Sequence, residues 1–170
     1  MYGRLFTAST SGVTYTGGAA RDVWELGATA NQVLAIHSVF IGNYGTAEYG
    51  DAKAQGMFVR FIRAYSTFTS GSGGTTPTAE PHDGGAAFTG TVEANNSTIA
   101  VVNTGTFKTL LNESFNTQAG FFYKPTPEER IIIHPSQTFI VTFPDDGTLN
   151  PSGDISKLTS NIIFEVIGAA

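Results

Sequence analysis

The chain has 170 residues, a net charge of −5 and 14% charged side chains, against about a quarter in an ordinary soluble domain. Nine Lys and Arg with no basic run leave no clustered cations to face phosphates, so direct nucleic-acid binding is excluded. The absence of Cys removes disulfides, Cys–zinc sites and thiol catalysis together. Thirteen Phe argue against disorder of the whole chain, and the length fits one domain, 1–170, with a real hydrophobic core.

Period-two alternation dominates, with no convincing stretch of helical period. The expected strands begin with 4–9 and a short 13–16, followed by 22–26 and 32–42. The last of these is apolar on both faces, as in a strand central to a sandwich. In 57–65, Arg60 and Arg63 fall on opposite faces, so one of them needs a partner. Further strands are expected at 86–93, 97–103, 107–112, 119–124, 130–134, 137–143 and 161–167, with short helical turns at 49–55 and 126–130. Turn signals such as Asn43, Gly45, Pro125, Pro127, Pro135 and the loop 144–154 separate them. About ten short strands on these grounds read as an all-β antiparallel sandwich, jelly-roll-like.

Residues 66–85 stand apart. Between Thr69 and Gly85, 13 of 17 residues are Gly, Ser, Thr or Pro, too little apolar surface to fold alone. This stretch is expected to be a long arm projecting from the sandwich. Fully extended, it would reach roughly 55 Å, onto a neighbouring protein.

Candidate chemistry is sparse. His37 sits mid-strand among apolar neighbours, His82 in the arm and His134 before Pro135, and no two have metal-ligand spacing. The pairs Glu128/Glu129 and Asp145/Asp146 read as solvated turn charges, and Asp83, Asp145, Asp146 and Asp154 match no calcium motif. Ser72 lies in GSGG, which is neither a nucleophile elbow nor a phosphate loop. No catalytic, cofactor-binding or metal-binding residue is therefore assigned, and an enzyme is not expected. Trp24, Tyr44, Tyr49, Tyr65, Phe68 and Tyr123 could form a sugar platform, a carbohydrate-binding reading of another class, although core or interface packing is the commoner fate of such rings.

Asn95, Asn96 and Asn112 open formal glycosylation sequons. The start of the chain lacks a charged region followed by an apolar run, and no apolar stretch approaches the roughly 20 residues that span a bilayer. A soluble protein made in the cytoplasm, with no membrane partner, is the expectation.

In order, the blocks LAIHSVFIGN (34–43), VRFIR (59–63), GSGGTTPT (71–78), AAFTGTVEANNSTIA (86–100), ESFNTQAGFFYKPTPEERIIIHPSQTFIV (113–141) and NIIFEVIG (161–168) carry a resemblance. From Leu34 onward the chain resembles small bacteriophage virion structural proteins, most of all capsid decoration (cement) proteins; the first 30 residues match less clearly. The resemblance implies a homotrimer on the virion surface whose partner is the major capsid protein. A tail, connector or head-fibre component is the alternative within the same class. It carries over no catalytic motif and no site residue.

Overall fold

Residues 57–61 and 158–164 alternate between buried and half-buried, while 22–27 and 139–143 are buried throughout, in the computed structural model, which describes residues 3–15, 19–43, 56–65, 67–116, 119–144 and 157–169. The strands are β1 (Arg4–Thr14), β2 (Arg21–Gly27), β3 (Gln32–Asn43), β4 (Gly56–Ala64), β5 (Phe68–Thr69), β6 (Glu80–Pro81) and β7 (Thr91–Asn96). They continue with β8 (Val101–Val102), β9 (Phe107–Asn116), β10 (Phe121–Tyr123), β11 (Ile131–Ile133), β12 (Thr138–Phe143) and β13 (Lys157–Ala169). A 3₁₀ turn, Pro127–Glu129, is the only helical element among the described residues, and none is long and apolar enough to cross a membrane.

The first sheet runs β10–β3–β13–β1–β6, with β11 also on β3, and the second runs β7–β2–β12–β4–β9. Every pairing is antiparallel. The pairs nest: β1 with β13, β2 with β12, β3 with β10 and β11, and β4 with β9. That is the winding of a jelly roll, in which the first half of the chain pairs with the second half in reverse order. The two inner faces close on Trp24, Phe61, Phe139, Phe143 and Phe164, all fully buried. Phe61 holds the two sheets together edge-on, with ring centroids 5.7 Å from Phe121 and 5.1 Å from both Tyr123 and Phe139.

Two expected strands, 4–9 and 13–16, are one strand. Its register with β13 shifts between Thr10 and Val13, at Gly12, whose φ of 69° suits a residue without Cβ. The gap expected between the two strands is a bulge. Residues 97–103 form less strand than expected, only β8 and a bridge at Thr98. The expected turn at 49–55 lies outside the described residues.

Residues 67–85 are long and irregular, yet they do not project. The outbound limb pairs its backbone with the return limb and β7: Ser72 with Thr98, and Thr75 with Ala94, through N–H···O bonds of 2.8–3.0 Å. It then crosses to the other sheet, where β6 pairs with Phe6 and Thr7 of β1 and the His82 N–H meets the Leu5 carbonyl at 2.9 Å. Arg4 fixes the crossing by gripping Asp83 with two nitrogens, at 2.8 and 3.0 Å. The expected arm is thus a strap across one open side of the sandwich. The physical reason is that backbone N–H and C=O groups pair whatever the side chains, so a stretch poor in apolar residues still docks on an unpaired strand edge.

Candidate functional site

The insertion between β4 and β9, residues 65–106, also covers the outer face of the second sheet. β5 and β8 pair with each other above that face. Beneath them, Ile62, Ala64 and Ile140 form a small second core with Ala100, packed against Phe68 and Phe107.

Beside this layer lies a buried acidic cluster. Glu25 and Asp22 of β2 are 3% and 1% exposed. Glu25 accepts the Gly71 N–H at 2.7 Å, the Ser70 hydroxyl at 2.5 Å and the Asn96 side-chain amide at 2.8 Å. Asp22 accepts the Ala100 N–H at 2.5 Å. Glu93 shares Ser70 and Asn96, at 3.3 and 3.1 Å. Residue 71 is glycine for a steric reason: a Cβ there would run into the Glu25 carboxylate and the Asn96 amide. Burial pushes the Asp22 carboxyl up to about 7, and the neighbouring Glu25 charge adds to the rise.

A β-strand puts residues three apart on opposite faces. Asp22 and Glu25 meet because the register of β2 against β12 shifts between Val141 and Thr142. The sequence did contain a signal. Asp22 and Glu25 lie among Val23, Trp24 and Leu26 in one short strand, and carboxylates buried there need partners.

A cavity of about 300 Å³ opens next to the cluster, between the outbound limb and β7. Ala79, Val92, Phe88 and Pro77 line it together with Thr76, Thr78, Thr91 and Glu93. Glu93 is its one ionisable group, so it holds no acid–base pair. Among the described residues no three His, Asp or Glu side chains converge on a metal position.

The residues singled out from sequence are dispersed. His37 bonds Glu165 at 2.8 Å on the outer face of the first sheet, where Arg130 also approaches Glu165, at 3.8 Å. His82 bonds the Thr7 hydroxyl at 2.6 Å, and the exposed His134 gives its backbone N–H to Gln137. Glu129 closes a capping box on Thr126. Ser72 is an exposed bridge residue. Asp145, Asp146 and Asp154 lie outside the described residues. Arg63 finds its partner in the Ile132 carbonyl at 2.7 Å, while Arg60 bonds Asn112 at 2.9 Å.

The sugar platform does not form among the described residues. Trp24 is fully buried, Tyr123 packs on Phe61, Phe68 packs on Phe107 and the Tyr65 hydroxyl accepts from Arg63 at 3.4 Å; Tyr44 and Tyr49 lie outside the described residues. Asn95 and Asn96 are buried, closing the first two sequons to modification in the folded chain.

Large apolar side chains are exposed at Val101 and Val102 of the insertion and, on the other side of the molecule, on the outer face of the first sheet. Phe122 on β10 is 62% exposed and stacks edge-on with Phe40 of β3 at 6.5 Å. Ile167, at the far end of β13, is 41% exposed, and Ile163 and Ile132 are half-buried between them. No family model, curated protein or solved structure matches this chain.

Proposed function

We propose that the protein is a non-enzymatic bacteriophage virion component. It acts as a capsid decoration (cement) protein that self-associates, as a trimer, and bridges major capsid subunits on the outside of the head. The observation that carries this reading is the exposed Phe122, stacked edge-on with Phe40 at one end of the outer face of the first sheet. Exposed aromatic side chains are enriched where proteins meet. The sequence resemblance supplies the virion context, and a jelly roll without an acid–base pair in its cavity is compatible with a structural role.

The strap alters how the bridging works. Its reach is used on its own chain, so the contact with neighbours falls to the first sheet and not to a free arm.

The test is the mass and copy number of this chain in purified particles, together with light scattering of the isolated protein. Copies in numbers comparable to the major capsid protein and a trimeric mass are expected. A monomer absent from particles overturns the proposal, and a few copies per particle moves the protein to the neck or tail.

A further inference from the structure

The insertion is held on the second sheet by two carboxyl groups that no cation among the described residues balances. Glu25 grips the outbound limb at Gly71 and Ser70, while Asp22 grips the return limb at Ala100. One strand thereby clamps both limbs.

The surrounding charges do not compensate. On β2, the Arg21 guanidinium reaches the Asn95 carbonyl at 3.3 Å and lies over the Tyr15 ring. The one charged residue of β7 is Glu93, itself an acid that shares donors with Glu25. No charged residue occurs in β12 or in limbs 67–76 and 97–106. On β4, Arg60 pairs across from Thr142 but turns to Asn112 and to the Phe58 ring. A carboxylate buried without a counter-charge resists ionisation, and a second carboxylate in contact strengthens that resistance.

We propose that the Asp22–Glu25 pair is a pH-operated latch on this insertion. With Asp22 protonated against Glu25, both limbs are clamped. When Asp22 ionises, the cost of burying its charge beside Glu25 loosens Ala100 and Gly71, and the layer of Ile62, Ile140 and Ala100 opens. The pivot is already strained: Thr67, a β-branched residue, sits at φ 67° where the insertion leaves the sheet.

The direction follows from the elevated Asp22 value of about 7 against 3.8 for the free group. The clamp is at full strength below about pH 4 and weakens as pH rises to about 7. This inference stands independently of the virion role, because the isolated protein tests it.

The experiment is amide hydrogen exchange at Gly71 and Ala100 between pH 5 and pH 8.5, corrected for the intrinsic exchange rate. Protection is expected to fall about tenfold per pH unit up to about pH 7 and to level off above it, as linkage to one proton requires. Asp22→Asn keeps an acceptor for Ala100 but cannot ionise, so its protection should stay high and flat. A flat wild-type profile overturns the latch even if the variant fails to fold. So does an Asp22→Asn profile with the wild-type slope.

Discussion

The two outer faces of the sandwich are built from the same kind of strand and end in opposite states. On the second sheet, Ile62 and Ile140 point outward and are buried to 8% and 1% by the chain's own insertion. On the first, Phe122 and Ile167 point outward and remain 62% and 41% exposed. Apolar side chains on both faces of a sheet demand a cover, and the described residues supply one in cis on the second sheet and none over Phe122 on the first. The difference also separates two uses of one side of the fold. The insertion closes the β1 and β7 edges against stray strand pairing, whereas the bare face presents side chains rather than backbone, which suits a specific partner.

The largest effect should come from removing the cover. Deleting residues 70–80 takes away Ser70, Gly71, the buried Ala79 and half of β6, and leaves Asp22 and Glu25 under a broken flap. Loss of the cooperative unfolding transition is expected by near-ultraviolet circular dichroism and urea titration. An unchanged midpoint would make the insertion an appendage and dissolve the contrast between the faces.

Next in size is a paired truncation. Ile140→Ala on the covered face should cost about 2–5 kcal/mol, as other buried large-to-small changes do. Ile132→Ala on the bare face should cost about 1 kcal/mol, because half-buried side chains have less transfer energy to lose. Equal costs in urea melts would mean that both faces are covered in solution.

A third, smaller effect is the pH dependence of global stability. The Asp22 carboxyl is harder to ionise in the folded chain than in the unfolded one, so between about pH 4 and pH 7 the folded state binds more protons. Stability should therefore decline as pH rises through that window, seen as a falling urea midpoint. Asp22→Asn should remove the decline. A midpoint that rises steadily from pH 5 to pH 7 in the wild type would place the proton elsewhere.

The fold was legible in the sequence because alternation survives in the long strands: 32–42 was read as central and apolar on both sides, and β3 lies between β13 and the β10/β11 edge. The errors fall where backbone chemistry overrides side-chain pattern. The expected strands 4–9 and 13–16 are one strand with a bulge, and the expected free arm rich in glycine and threonine is paired through its main chain. The acidic cluster was not legible, because its members come from 22, 25, 70, 71, 93, 96 and 100 and meet only after a register shift and a long insertion. Nor does an apolar pattern on an outward face say which molecule will cover it.

That last point has the smallest expected effect on folding and the most direct bearing on function. Phe122 touches Phe40 on one side and solvent on the other, so Phe122→Ser removes little buried surface from the isolated chain. Its stability should change by no more than about 0.5 kcal/mol, the usual range for surface positions. An exposed aromatic at the centre of a contact behaves differently, since truncating such an anchor commonly costs about 2 kcal/mol or more of binding energy. Sedimentation of the variant should then show dissociation to monomers at concentrations where the wild type remains assembled, with an unaltered melting curve at high dilution. If the variant assembles as the wild type does, the bare face of the first sheet is not the contact between copies, and its cover must be a different protein.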